Sequence, residues 1–217
     1  MFEVNIIYIL SGLLTTIYYT LFGIFFGCII ACPICLMIHS QYTILYLIAR
    51  IYISIIKKTP IALQLSMCYF ILPEIIGYKI SLLVICTITF AINFSASIAE
   101  IIKTGITNID QGQVEAAKVI GLTKRDTFVD IILPQLISNI SHPIVNEIIA
   151  LIKATPIIGI IGVTDLAHRA HLVSEKYDQF WPMLVAGICY YLLIIGIDWL
   201  YSSVIRSRKN NQEIKSS

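Results

Sequence analysis

The sequence is poor in charge. Asp, Glu, Lys and Arg make up only 13% of its 217 residues, whereas 58% are hydrophobic. Soluble domains usually carry about 25% charge. A chain this apolar cannot cover a globular surface with polar groups. The composition therefore excludes an ordinary soluble domain and favours a polytopic membrane protein.

Several catalytic signatures are also missing. The sequence has no GxxxxGK[ST] phosphate loop, no HExxH and no GxSxG, which are the patterns of nucleotide hydrolysis, zinc proteolysis and serine hydrolysis. Its six cysteines lie in apolar runs. Cys32 and Cys35 form a CxxC within uncharged residues 4–38, where helix packing is favoured over redox chemistry. The chain is predicted to be neither an enzyme nor a metal protein.

Long hydrophobic runs are what the sequence does have. A helix of about 20 apolar residues spans a bilayer, and five spans are predicted: residues 4–38, 59–73, 80–99, 134–164 and 180–205. The second of these has only 15 residues and needs a few flanking residues to span. Residues 42–56 are interrupted by Arg50 and predict an interfacial helix. The stripe Gly23, Gly27 and Ala31 is suited to close helix packing. The fold class is therefore all-α.

The distribution of basic residues predicts an orientation. With the N-terminus outside, eleven of the fifteen lysines and arginines fall at cytoplasmic positions, as the positive-inside rule requires. The C-terminus is then cytoplasmic, with a polar tail at residues 206–217. Residues 100–130, the only long stretch rich in charge, are then cytoplasmic, with a loop over residues 104–130.

That loop predicts two short helices separated by a glycine. Asp110 can cap the first helix with Gln113 as its reciprocal partner, and Gly121 can end it in a left-handed conformation. A second helix follows, and Pro134 is expected to open the next span. A small rigid element of this kind suits docking into the cleft of a partner, with Ala116 and Ala117 allowing close approach. An ordinary amphipathic loop is the alternative.

The same loop resembles the EAA loop of ABC importer permeases. Glu115-Ala116-Ala117 is followed by Gly121 and then by Ile132-Leu133-Pro134. The resemblance extends to the polar amino-acid permease family, which includes glutamine, histidine and arginine systems. The matching segments are Gly12–Thr16, Lys57–Pro60 with Gln64, Ser97–Glu100, Gly112–Ala117, and Asn146 with Lys153.

The resemblance implies a type I ABC importer permease fold, with one permease domain over residues 1–205, in the bacterial inner membrane. Two permease subunits, identical or different, would pair in the bilayer. Each would dock a coupling helix in an ATPase subunit that binds ATP-Mg, and an extracytoplasmic binding protein would deliver substrate. The coupling residues are Gly112, Glu115, Ala116, Ala117 and Gly121. The chain itself would need no cofactor and no nucleic acid.

Glu147 and Lys153 are the candidate substrate contacts. Charges inside a span are costly unless they are paired or face a cavity, and a zwitterionic amino acid would complement both. Asn146 shares a helix face with Lys153, seven residues away. Two alternatives remain: these charges pair with other helices, or the span begins elsewhere and the Lys153 side chain reaches the membrane interface. Ala154 stands where the family has an Asp, which leans toward neutral glutamine as the substrate.

Two other function classes explain the sequence less well. An ion-coupled secondary transporter would usually show internal repeats, which five spans cannot form as equal halves. A pore-forming protein fits the composition but does not explain the GQxEAA loop. The sequence therefore predicts the permease subunit of an ATP-driven importer of a polar amino acid, with glutamine the leading substrate.

Overall fold

The computed structural model describes residues 2–216, with side chains described for residues 5–204. This part of the chain contains α-helices and no strands, as predicted. The helices are α1 (Phe2–Ile38), α2 (Thr43–Lys58), α3 (Ile61–Ile76), α4 (Leu82–Thr107), α5 (Gln111–Val119), α6 (Lys124–Asp126), α7 (Leu133–Ala154), α8 (Leu166–Tyr177) and α9 (Trp181–Ser216). A π-helical turn, Thr127–Ile132, links α6 to α7, and a 3-10 helix, Thr155–Ile161, follows α7. The side chains of the predicted polar tail, residues 206–217, lie outside the described residues.

Four helical segments of the described chain are long and apolar enough to cross a membrane: Asn5–Ile38, Leu82–Thr107, Lys124–Ile161 and Trp181–Val204. Helices α2 and α3 form a fifth candidate if the pair counts as one span, although it is bent by 106°. If α2 and α3 are counted as one span, the described chain has the five candidate spans that the sequence predicts.

The bend between α2 and α3 follows from Pro60. A proline disfavours helical geometry in the residue before it, and Thr59 is extended, with φ −102° and ψ 139°. Pro60 is extended too, with φ −62° and ψ 136°. The sequence therefore placed this break correctly, but α3 continues to Ile76, beyond the predicted end at residue 73.

Pro134 does not begin a new helix, which corrects the prediction from the sequence. The helical run continues from Lys124 to Ile161. The π turn lies immediately before Pro134, and the Leu133 N–H donates to the Phe128 carbonyl, five residues back. The proline lacks a donor, and here the helix changes register without ending.

The intrachain contacts form two compact units, a central unit (Tyr19–Ile148) and a terminal unit (Met1–Tyr18 with Ile149–Ser217). In the central unit, α4 packs against both α2 and α3. The small-residue stripe of α1 is buried as predicted. A Cβ on Gly27 would lie 2.9 Å from the Phe94 ring, so only glycine allows α1 and α4 this close approach.

The terminal unit has its own core. It contains Ile9, Leu166, Ala170, Val173 and Ala186, all buried. A Cβ on Gly12 would lie 2.7 Å from Leu166 Cα, so the beginning of α1 lies directly on the backbone that starts α8. The single permease domain over residues 1–205 stays a prediction.

Candidate functional sites

The charged loop folds as a helix with defined ends. Asp110 caps α5 by accepting a hydrogen bond of 2.9 Å from the Gly112 N–H. The predicted reciprocal bond from Gln113 is wrong, because the side-chain oxygen Oε1 of Gln113 instead accepts a 2.6 Å hydrogen bond from the side-chain Nε2 of Gln135. That bond ties the first turn of α5 to the first turn of α7.

Gly121 ends α5 in the left-handed conformation that the sequence predicts, with φ +83°. The Leu122 N–H donates to the Ala117 carbonyl at 3.0 Å, and the Gly121 N–H donates to the Lys118 carbonyl at 3.1 Å. This pair of bonds is a Schellman motif. A Cβ on Gly121 would meet nothing within 4 Å. Glycine is therefore required here because of the positive φ angle, and not because neighbouring atoms leave no room for a side chain.

The predicted coupling residues differ in what they can touch. Gly112, Glu115, Ala116 and Gly121 are exposed. Ala117 is only 2% exposed, so its methyl group packs on its own chain and does not offer a surface to a partner.

Two apolar residues on this loop were missed by the sequence analysis. Val119 is 87% exposed and Ile120 is 74% exposed, at the end of α5 beside Gly121. Exposed apolar side chains among polar ones mark interaction surfaces. The sequence signal that could have found them is their position directly before Gly121, the glycine that ends the helix.

The candidate substrate contacts lie late in α7. Asn146 and Lys153 are exposed and Glu147 is partly exposed. Among the described side chains, none of the three has a hydrogen-bond or ion-pair partner. The helix changes to 3-10 geometry at Thr155, next to Pro156, which lacks the N–H that an α-helix needs.

Two separated sequence motifs meet at the end of α2. The Lys57 ammonium lies 3.5 Å from a Glu100 carboxylate oxygen and donates to the Ser97 hydroxyl at 3.2 Å. These three residues are called the Lys57 cluster. Nearby, the Gln64 amide closes the bend by donating to the Ile56 carbonyl at 2.8 Å and the Thr59 hydroxyl at 2.8 Å.

A second polar cluster is buried in the terminal unit, and the sequence analysis did not find it. Asp165 is 0% exposed and caps α8 by accepting from the His168 N–H at 2.8 Å. It also accepts from the Tyr190 hydroxyl at 2.9 Å and the Thr155 hydroxyl at 3.4 Å. Thr155, Asp165 and Tyr190 are called the Asp165 cluster. The only signal was an Asp at a helix start, which usually means an exposed cap.

No group of three or more His, Cys, Asp or Glu side chains in the described part of the chain is arranged to hold a metal ion.

Residues 23–210 match the model of the family described as binding-protein-dependent transport system inner membrane component. The chain is 40% identical over 200 residues to the "Putative glutamine transport system permease protein GlnP" of Rickettsia typhi, covering 92% of both chains. It is 36% identical over 144 residues, 66% of each chain, to the arginine transport system permease protein ArtQ of Bacillus subtilis.

Solved structures agree with this match. A crystal structure of an amino acid ABC transporter with histidines superposes with a TM-score of 0.84 at 32% identity, covering 92% of this chain and 94% of the other. An inward-facing methionine ABC transporter, MetNI, superposes with a TM-score of 0.72 at 18% identity, covering 92% and 95%. The second likeness concerns the fold alone.

Proposed function

The chain belongs to the family of binding-protein-dependent transport system inner membrane components, and we propose that it is the permease subunit of an ATP-driven importer for glutamine. Membership makes it a multi-pass transport subunit and not a catalytic protein. The observation that carries the proposal is the match to amino-acid system permeases along nearly the whole chain. An ion-coupled transporter or a pore is not favoured.

The remaining subunits are part of the proposal. An ATPase chain would bind ATP-Mg and hydrolyse it, a second permease subunit would complete the pathway, and an extracytoplasmic binding protein would supply substrate. The N-terminus would lie outside and the C-terminus in the cytoplasm. Eleven of fifteen basic residues support this orientation.

The coupling role is assigned to α5 and its glycine end. Gly112 accommodates the Asp110 cap, since a Cβ there would lie 3.3 Å from the carboxylate. Glu115 and Ala116 form an exposed face of the helix. Ala117 packs against the rest of the chain, and Gly121 ends the helix. Val119 and Ile120 form the apolar tip that would enter a cleft of the ATPase.

Replacement of Gly121 tests the coupling role. Gly121→Val places a β-branched residue at φ +83°, which costs about 1–3 kcal/mol of local strain. The Schellman end should then open. We expect the variant to insert normally but to lose most ATP-dependent uptake. The measurement is uptake by proteoliposomes that contain the assembled transporter.

Gly77→Val is the matched control. Gly77 also has a positive φ, of +81°, also ends a helix, and also has nothing within 4 Å of a built Cβ, but it lies after α3 and away from α5. Equal loss of uptake in both variants would mean general destabilisation, and the coupling assignment would then be wrong.

Asn146, Glu147 and Lys153 are proposed to contact the substrate. An unpartnered charge in an apolar helix is tolerated where it faces a cavity, and a cation together with a carboxylate suits a zwitterion. Lys153→Met should raise the KM for uptake without loss of the ATPase subunit. Lys79→Met, at an exposed position before α4, is the control. Loss of assembly in Lys153→Met would indicate a structural role instead.

Purification of the chain through a tag tests the class, and uptake tests the substrate. We expect a stoichiometric ATPase to accompany the chain, and labelled glutamine to enter proteoliposomes only with ATP and the binding protein. Unlabelled glutamine should compete more strongly than arginine, because Ala154 supplies no carboxylate for a cationic side chain. Stronger competition by arginine would contradict glutamine as the substrate but would leave the class intact.

A further inference from the structure

A cavity of about 320 Å³ opens in the central unit near the ends of α1, α2 and α4. Four cationic side chains line it, Arg50, Lys57, Lys58 and Lys103, against one carboxylate, Glu100. Its volume is within the range of ligand pockets, about 300–1,000 Å³. An excess of three positive charges around one cavity makes it a candidate site for an anion.

Two of the four cations are not engaged by the rest of the described chain. Lys57 binds Glu100 and Ser97, and Lys103 lies 5.8 Å from the centre of the Tyr46 ring. Arg50 and Lys58 have no hydrogen-bond or ion-pair partner among the described side chains. Guanidinium and ammonium groups bind phosphate oxygens well, the first in a bidentate manner.

The surroundings of the cavity favour a lipid as the source of the anion. Ile38 and Ile53 form an apolar part of its wall. Helix α2 presents exposed Ile51 and Ile55 on its outer surface, close in sequence to Arg50 and Lys58. A helix with an apolar outer face and basic residues at its end is typical of a membrane interface. Basic pockets between membrane helices on the cytoplasmic side bind anionic head groups.

We propose that this cavity binds the phosphate group of an anionic phospholipid. Arg50 and Lys58 bind the phosphate, Lys57 and Lys103 add attraction, and the acyl chains lie along the apolar face of α2. By the orientation proposed above, the lipid belongs to the cytoplasmic leaflet. The cavity shares no residue with the proposed substrate contacts, so its failure would leave the transport function standing.

The test uses the full chain, purified in a neutral detergent and mixed with phosphatidylglycerol, with phosphatidylcholine, or with inorganic phosphate. Native mass spectrometry measures bound lipid, and the thermal unfolding midpoint measures the response to phosphate. We expect the chain to retain phosphatidylglycerol in preference to phosphatidylcholine. Each basic residue near a membrane surface adds about 5-fold in affinity, so Arg50→Gln with Lys58→Gln should lower retention roughly 30-fold.

Glu100→Gln separates binding from a folding defect. Removing the one carboxylate in the cavity removes repulsion, so phosphatidylglycerol retention should rise, by up to about 5-fold, and a destabilised chain would not show such a gain. Lys79→Gln lies outside the cavity and should leave retention unchanged.

The possible outcomes are distinct. A loss in the double variant together with a gain in Glu100→Gln supports the lipid site. If only inorganic phosphate responds to these substitutions, the anion site stands but the lipid source is overturned. If neither probe responds to them, or if Lys79→Gln has the same effect as the double variant, the proposal is wrong.

Discussion

The Asp165 cluster of the terminal unit and the Lys57 cluster of the central unit are both built from charged and hydroxyl side chains, but they differ in exposure. Asp165 is 0% exposed, whereas the side chains of Lys57 and Glu100 are 35% and 49% exposed. Asp165 is satisfied by neutral donors, two hydroxyls and one backbone N–H. Glu100 instead faces a cation, and further unpaired cations lie beside it.

This difference separates a structural role from a binding role. A buried carboxylate is costly unless its hydrogen bonds are complete, so the Asp165 carboxylate has to keep its donors. Its hydrogen bonds link α8, α9 and the 3-10 helix to one another. The Lys57 cluster is open, and its ion pair is weakened by solvent. Arg50 and Lys58 beside it, unpaired among the described side chains, remain available to a ligand. Substitutions in the first cluster should therefore change stability, and those in the second should change binding.

The largest effect on stability is expected for Asp165→Ala. The variant removes the acceptor of the His168 N–H and of the Tyr190 hydroxyl, whereas the Thr155 hydroxyl keeps the Ile152 carbonyl at 2.9 Å as an acceptor. Each unsatisfied buried group costs about 1–3 kcal/mol, so a loss of about 2–6 kcal/mol is expected. Titration with sodium dodecyl sulfate in mixed micelles measures the free energy of unfolding.

Asp110→Ala is the control for Asp165→Ala. Both aspartates cap a helix, but Asp110 is exposed, and within the described residues its carboxylate accepts only the cap bond from Gly112. Loss of such a cap costs about 1 kcal/mol. If the two variants cost the same, Asp165 acts as a simple cap, and the contrast between the clusters is lost.

Tyr190→Phe should have the next largest effect. It removes a hydroxyl that lies 2.9 Å from Asp165 and 3.0 Å from Thr155 but keeps the ring in place. A hydrogen bond to a charged group contributes about 1.5–3 kcal/mol, so the same titration should show a loss of about 2 kcal/mol. Tyr191→Phe, at the exposed neighbouring position, should be neutral. An equal loss for both would contradict a specific role of the Tyr190 hydroxyl.

Much of the helical architecture and of the charged loop could be predicted from the sequence. Gly121 was expected to end α5 because a glycine follows a helix-forming run, and the structure has it at φ +83°. The all-α class and the buried stripe of Gly23, Gly27 and Ala31 followed from composition and spacing. Such features depend on residues close together in the chain, so the sequence carries them directly.

Neither polar cluster could be predicted from the sequence. Thr155, Asp165 and Tyr190 lie in three different elements, and only the tertiary fold brings them together. Asp165 alone predicts an ordinary exposed cap. The meeting of Lys57 with Glu100 was missed for the same reason, although each residue had been singled out. The continuity of the helix past Pro134 depends on the π turn before it, which a single-sequence pattern does not indicate.

Gln64→Met tests a residue that is buried like the Asp165 cluster but whose hydrogen bonds involve no charged group. Gln64 is 8% exposed, and its amide donates to carbonyls and a hydroxyl at the bend of α2 and α3. Methionine keeps the length of the side chain but not the donor. A loss of about 1 kcal/mol is expected, below that of Tyr190→Phe because no charge is involved. Gln113→Met, at an exposed glutamine on α5, is the control, and a larger loss there would contradict the ranking by burial.

The smallest effect on stability is expected for Lys57→Met. The pair with Glu100 is partly exposed at both ends, and exposed ion pairs contribute about 0.2–1 kcal/mol. The loss in the same titration should therefore stay below about 1 kcal/mol, and it should shrink further as salt is added. Lys57→Arg should be neutral or slightly stabilising, because a guanidinium can bind both carboxylate oxygens. A loss in Lys57→Met as large as that in Asp165→Ala would mean that the Lys57 cluster is a structural element too. Its charges would then be committed to folding, and Lys57 would add no attraction for an anion in the neighbouring cavity.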